Sequence, residues 1–164
     1  MQVSVIVLAA GQGTRMNSDL PKVLHHVAAA PLLHHALQTA QSLEPSRIVT
    51  VTGHGGEAVA ASATAFNEAV ETVIQDPQLG TGHAVAQAAP LLSDAPGDAI
   101  VLYADTPLIR EDTLRAMLEA RAKHAVVILG FHAKDPGRYG RLLTDGDQLL
   151  AIRELRMPRP KNAP

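Results

Sequence analysis

The chain has 164 residues, 46% of them hydrophobic, and a formal net charge of −2. That length and apolar content suit one domain with a sizeable core, and the weak acidity gives no electrostatic case for nucleic acid as a bulk partner. Cysteine is absent, which excludes disulfides, thiolate zinc sites and cysteine nucleophiles together. No apolar run approaches the roughly 20 residues needed to cross a bilayer. Val3 to Ala10 is strand-sized and lacks a basic flank, so neither a membrane span nor a signal peptide is expected, and the chain reads as cytoplasmic. With only two Phe and two Tyr, stacking of bases along a single strand is excluded as a mode of binding.

In chain order, Val3 to Leu8 is apolar and β-branched and predicts a buried strand. Leu32 to Leu43 has apolar residues at helical spacing, with Pro31 where a helix start tolerates proline. Arg47 to Thr52 predicts a second strand, closed by Gly53-His54-Gly55-Gly56. Glu57 to Phe66 predicts an Ala-rich helix and Val73 to Gln75 a short strand. Thr81 is expected to cap a helix running to about Leu91. Ala99 to Tyr103 predicts a strand with Asp105 just beyond its end, and Asp112 to Lys123 an amphipathic helix. Ala125 to Phe131 predicts another buried strand. Leu142 to Thr144 and Gln148 to Ile152 flank Asp145-Gly146-Asp147 and predict a hairpin. The alternation implies an α/β, Rossmann-like, mostly parallel sheet with helices on both faces, in which ligands bind beyond the C-terminal strand ends.

Four stretches at such ends carry chemistry. The first runs Leu8-Ala9-Ala10-Gly11-Gln12-Gly13-Thr14-Arg15-Met16 and continues to Leu20-Pro21-Lys22-Val23-Leu24. Small residues let backbone N–H groups approach phosphate oxygens, and Arg15 and Lys22 add two cations. A dinucleotide fingerprint needs glycine where Met16 stands, and a Walker loop needs Gly-Lys-Ser/Thr, so both are excluded. In the second, Gln75 precedes Gln78-Leu79-Gly80-Thr81-Gly82-His83-Ala84. A glutamine offers the donor and acceptor that a uracil edge needs, and Gly80 and Thr81 offer free N–H groups at a helix start. The third is Tyr103-Ala104-Asp105-Thr106-Pro107, whose carboxylate after a central strand suits magnesium. The fourth is Asp135-Pro136 followed by Tyr139-Gly140-Arg141. Eight histidines, notably His25-His26 and His34-His35, show no metal-ligand spacing.

Leu-Ala-Ala-Gly-x-Gly-Thr-Arg-Met followed by Leu-Pro-Lys resembles the signature of sugar nucleotidyltransferases. With Ser18-Asp19-Leu20-Pro21-Lys22-Val23-Leu24-His25 and Gln-Leu-Gly-Thr-Gly-His-Ala, the chain is similar to the bifunctional N-acetylglucosamine-1-phosphate uridyltransferase/glucosamine-1-phosphate acetyltransferase family. The resemblance implies a fold of the nucleotide-diphospho-sugar transferase type. It implies transfer of uridylyl from UTP to N-acetylglucosamine 1-phosphate, giving UDP-N-acetylglucosamine and pyrophosphate with Mg2+ as cofactor, a precursor for peptidoglycan and lipopolysaccharide. It gives Arg15 and Lys22 catalytic roles and Asp105 the metal. Leu8, Ala9, Ala10, Gly11, Lys22, Gln75, Gly80, Thr81, Tyr103, Ala104 and Asp105 would line the substrate, with Gln75, Gly80 and Thr81 on the uridine and Gly140 and Glu154 on the sugar. Ala104 stands where the family usually has glycine, and its methyl is expected to crowd the nucleotide slightly.

The resemblance covers residues 1–154. Leu155 to Pro164, with three prolines and three basic residues, departs from the family's Glu-His-Lys/Gln-Asp-Ala-Thr. One permitted back-translation of this tail, shifted in frame with one adenine restored, reads Glu-His-Gln-Asp-Ala-Thr-Pro-Glu-Glu-Arg-Ala. The sequence therefore predicts a nucleotidyltransferase domain over 1–154 that is incomplete at its C-terminus, and a frameshifted tail over 155–164. The asparagines that complete the family's sugar and metal sites, and the hexapeptide-repeat domain through which the family trimerises, lie beyond the tail, so weak or no turnover is expected. Alternatives are a non-catalytic nucleotide-binding remnant, a nucleotidyltransferase for another nucleoside triphosphate or sugar phosphate, and an oxidoreductase domain disfavoured by Met16.

Overall fold

A computed structural model describes residues 2–11, 18–53, 55–137, 139–146 and 148–153. The chain divides into two compact units, Met1–Lys123 and His124–Pro164.

The first unit opens with strand β1 (Val3–Ala9), in which all seven residues are buried. A strand inside a parallel sheet is covered on both faces, so it reads as a continuous apolar run without alternation. A short 3-10 turn over Lys22–Leu24 follows, then a two-residue antiparallel bridge between β2 (His26–Val27) and β3 (Ala30–Pro31), which the sequence did not predict. Helix α1 (Leu32–Gln41) begins directly after Pro31. Strand β4 (Arg47–Gly53), helix α2 (Glu57–Phe66), strand β5 (Glu71–Gln75), helix α3 (Thr81–Ala88) with a 3-10 extension over Ala89–Leu92, strand β6 (Asp98–Tyr103) and helix α4 (Glu111–Arg121) complete it.

The sheet order is β5-β4-β1-β6 and every pairing is parallel. The register sets Val5, Ile48 and Ile100 side by side, and likewise Ile6, Val49 and Val101, so the two faces have separate cores. The larger joins Val5, Val7, Ile100 and Leu102 to Leu33 and Leu37 of α1, Val59 and Ala63 of α2 and Leu114 of α4. The smaller joins Ile6, Leu8, Val49 and Val51 to Ala84 and Ala88 of α3. Leu33 and Leu37 are fully buried, and truncating such a side chain to alanine costs about 2–5 kcal/mol. On the smaller face Val101 and Tyr103 of β6 stay 38% and 47% exposed.

The order reverses at β1: the chain moves outward through β4 and β5, then returns to place β6 on the other side of β1. Such a switch point opens a crevice at the C-terminal strand ends. No helix among the described residues is long and apolar enough to cross a membrane.

The second unit contains an antiparallel hairpin of β7 (Arg141–Asp145) and β8 (Gln148–Arg153), with a register shift between Leu143 and Thr144. The buried strand expected over Ala125 to Phe131 does not form: the segment has no regular structure, and Val126 and Phe131 are 71% and 70% exposed. Apolar composition favoured a strand, but a strand also needs a ladder partner, and among the described residues this segment pairs with none. The expected tail over 155–164 lies outside the described residues, as does Glu154 before it.

Candidate active site

Three segments of the first unit converge at the switch point. Strand β1 delivers Leu8 and Ala9, both buried, then Ala10 and an exposed Gly11. Past Gly11, Gln12 to Asn17, and with them Arg15, lie outside the described residues. The chain returns at Ser18, whose Oγ accepts from the Leu20 N–H at 3.2 Å. In the turn that follows, Leu24 N–H donates to the Pro21 carbonyl at 2.9 Å and His25 N–H to the Lys22 carbonyl at 3.2 Å. Val23 is 5% exposed and belongs to the larger core. It anchors the turn and leaves Lys22 on the open side.

Beyond β6, the Ala104 N–H donates to the Leu8 carbonyl at 3.0 Å, extending the ladder past the strand. The Tyr103 carbonyl accepts from the Thr106 N–H at 3.2 Å and from Thr106 Oγ1 at 3.0 Å. This turn holds Asp105 outward, where its Oδ2 accepts from Lys22 Nζ at 2.7 Å. Ala104 is 0% exposed and part of the larger core. Its methyl packs into that core. Tyr103 is half exposed on the face opposite.

The third segment follows β5. Gly80 has φ +101°, a left-handed conformation that favours glycine, and it occupies the cap position of α3. Thr81 is the first helical residue and makes no capping bond, which corrects its expected role: the backbone of Gly80, not the Thr81 hydroxyl, turns the chain into the helix. The Gly80 carbonyl accepts from Ala84 N–H at 3.0 Å and from Gln75 Nε2 at 2.9 Å. The N–H groups of the first turn of α3 have no helical acceptor, and Gly80 and Thr81 are exposed.

The structure also shows two residues that the sequence motifs left without a role. Gln78 Nε2 donates to the Ala10 carbonyl at 2.5 Å, joining the segment after β5 to the loop after β1. His83 bridges Gln75 and Gln87 through its two ring nitrogens. No periodicity signals either contact, because each depends on where two strand ends fall in the sheet.

In the second unit, Asp135 Oδ1 accepts from Gly137 N–H at 3.0 Å and the Pro136 carbonyl from Tyr139 N–H at 2.9 Å. The Arg141 guanidinium donates to the carbonyls of Gly137, at 3.2 Å, and Tyr139. Phe131 and Tyr139 meet edge to face with centroids 5.1 Å apart. Arg141 thus braces the loop that carries Gly140, which is exposed. Glu154 lies outside the described residues.

Among the described residues no three His, Asp or Glu side chains cluster as an all-protein metal cage. Magnesium does not require one: it is commonly held by one or two carboxylates, with water and phosphate oxygens completing its shell. Asp105 fits that use, since it is exposed and only its Oδ2 is engaged, by Lys22.

A parallel sheet that reverses order at β1, with a small-residue loop, a lysine and a carboxylate at the reversal, has the fold of the nucleotide-diphospho-sugar transferase type. The chain belongs to the MobA-like NTP transferase domain family, whose profile matches residues 5–156. The bifunctional protein GlmU of Cereibacter sphaeroides is 69% identical over 152 residues, covering 93% of this chain and 34% of that protein. GlmU of Dinoroseobacter shibae is 58% identical over 161 residues, covering 98% of this chain and 36% of its own length. The chain therefore spans about a third of the length of these relatives. Among solved structures, HddC from Yersinia pseudotuberculosis complexed with GMP-PN superposes with a TM-score of 0.75 at 26% identity, over 92% of this chain and 68% of that one.

Proposed function

We propose that this chain carries the site for transfer of uridylyl from UTP to N-acetylglucosamine 1-phosphate, releasing pyrophosphate and giving UDP-N-acetylglucosamine. The observation that carries the reading is the Lys22–Asp105 pair at the switch point, at the same end of the sheet as the small-residue stretch Leu8 to Gly11 and the segment Gln75 to Thr81.

The attacking group is a sugar phosphate, already an anion, so no general base is required and catalysis reduces to positioning and charge stabilisation. Backbone N–H groups after β1 cradle the triphosphate. Lys22, and Arg15 from the loop before it, neutralise charge that builds on the phosphates as pyrophosphate departs. Asp105 would hold Mg2+, which would supply positive charge to the phosphates. Lys22, released from Asp105, would then be free to reach the phosphates. Gln75, Gly80 and Thr81 hold the uridine, Tyr103 and Ala104 belong with Asp105 to the substrate-binding set, and Gly140 and Glu154 hold the sugar. Function in the cytoplasm, and trimerisation through a domain these 164 residues do not include, belong to the same reading, which assigns no acetyl-transfer chemistry to this chain. The domain is taken as 1–154, with 155–164 frameshifted.

Nucleotide binding and pyrophosphate release separate the reading from its rivals. The chain is expected to bind UTP saturably with Mg2+ and in preference to CTP and GTP, with weak or no pyrophosphate release. In a full-length relative, replacing the equivalent of Arg15 by alanine is expected to abolish turnover and spare folding. Equal affinity for all nucleoside triphosphates, or undiminished turnover of that variant, would overturn the assignment.

A further inference from the structure

Gln75 ends β5 and is 3% exposed. Its Nε2 lies 2.9 Å from the Gly80 carbonyl oxygen and 3.2 Å from His83 Nδ1. A carbonyl only accepts, so the nitrogen end of the amide is the end that faces Gly80. That nitrogen carries two hydrogens. One goes to Gly80 and the other meets His83 Nδ1, which must offer a lone pair. A neutral imidazole has one ring proton, so the proton of His83 sits on Nε2. There it faces the side-chain amide of Gln87 at 3.1 Å, and Gln87 receives it on oxygen after a half rotation of its amide, giving up the longer 3.3 Å bond from its nitrogen to the His83 carbonyl. The shorter bond from buried Gln75 to the Gly80 carbonyl fixes the proton arrangement, and the partly exposed Gln87 adapts to it.

Both donors of Gln75 are consumed in this arrangement, leaving Oε1. Among the described residues, the buried side-chain polar atoms without a partner are His25 Nε2 and Thr50 Oγ1. Gln75 Oε1 is not one of them, and no described residue donates to it, so it opens onto solvent. Gln75 therefore does not offer the donor and acceptor pair expected from its residue type. It can only accept.

We infer that His83 is a positioning residue for base selection: by occupying the second N–H of Gln75 it makes that side chain a pure acceptor, so the site takes a base with a ring N–H and refuses one with a bare ring nitrogen. The inference rests on the reading that Gln75 faces the base. Uracil carries a hydrogen at N3 and satisfies Oε1. Cytosine presents a lone pair at the same ring position, and two acceptors would face each other in a partly dehydrated place.

Two variants and one spectrum test it on the 164-residue chain. His83→Leu removes the acceptor. His83→Asn restores one, because asparagine Oδ1 stands about where Nδ1 stood. The ratio of UTP to CTP affinity, read by titration calorimetry with Mg2+, is expected to fall at least about tenfold in His83→Leu. In His83→Asn it should stay within about threefold of the original. An unchanged ratio in His83→Leu overturns the inference, as does an equal fall in both variants. Independently of any nucleotide, imidazole 15N shifts are expected to show His83 protonated on Nε2 with Nδ1 bare, and a proton on Nδ1 overturns the inference. A chain that binds neither nucleotide overturns the uridine reading and the selectivity with it. The spectrum still separates the two failures, because it reports whether His83 holds the Gln75 amide.

Discussion

Lys22 Nζ and Asp105 Oδ2, 83 positions apart in sequence, lie 2.7 Å from one another where β1 and β6 end. Each side chain is 36% exposed, and ion pairs this wet contribute about 0–1 kcal/mol to stability. In the proposed function the two are halves of a charge-handling site, neutralising each other until an anion and a cation separate them.

Lys22→Ala is expected to lower folding stability by less than about 1 kcal/mol while weakening UTP binding about tenfold or more. Urea unfolding and calorimetric titration measure the two effects. Full triphosphate affinity in the variant would remove Lys22 from the phosphate grip.

Asp105→Asn keeps the shape and deletes the charge. In chelated buffer the variant should bind UTP at least as well as the parent, because Lys22 is released and no carboxylate opposes the phosphates. Adding Mg2+ should strengthen binding by the parent and leave the variant unchanged. Equal stimulation of both would place the metal elsewhere.

Gly53 ends β4 against the Gln78–Ala10 link. A Cβ at Gly53 would stand 2.9 Å from the Ala10 carbonyl oxygen and would collide with the Gln78 amide. Gly53→Ala is therefore expected to cost about 1–3 kcal/mol and to weaken UTP binding by displacing the loop after β1. Gln78→Ala should weaken binding without the steric cost, and a variant with intact affinity would show that the link does not position the loop.

Thr50 is 0% exposed in the middle of β4, and its hydroxyl has no hydrogen-bond partner. Valine has the same branched shape without the buried oxygen. Thr50→Val should stabilise the chain by about 1 kcal/mol, visible as a higher midpoint in thermal unfolding. A lower midpoint would mean that the hydroxyl is satisfied in solution.

The Glu111 carboxyl is held below the usual glutamate value by the Arg115 guanidinium hydrogen-bonded to it and by the Ser42 hydroxyl, against the opposing pull of desolvation and Asp112. A depressed carboxylate stabilises the fold above the unfolded-state value, and that contribution is lost as pH falls through the folded one. Side-chain NMR should place the Glu111 midpoint on the acid side of an unperturbed glutamate, and Arg115→Ala should move it back up. An unmoved midpoint in Arg115→Ala would remove the guanidinium as its cause.

Much of the first unit was legible in sequence because its central strand is buried on both faces. Val3 to Ala9 is apolar but for Ser4, as a strand covered on both faces favours, and a charged residue just past the strand ending at Tyr103 had to emerge at the C-terminal end of the sheet, where Asp105 lies. The segment Ala125 to Phe131 misled because composition reports the wish for burial, whereas a strand also needs a partner that no local pattern names. Thr81 misled for a related reason: its residue type suits a cap, but the turn into α3 is set by the dihedral angles of Gly80. His83 stands in the sequence only as part of the Gln-Leu-Gly-Thr-Gly-His-Ala motif, and the amides on either side of it meet it only after β5 and α3 fold together.

In the proposed function the loop after β1 would grip phosphates and the segment after β5 would read the base, and the Gln78 amide fastens one to the other at Ala10. Such a division is modular. Replacing the stretch from Gln75 to His83 can retarget the scaffold to a different nucleoside while its phosphate chemistry stays in place, provided the new stretch keeps a donor for that single carbonyl.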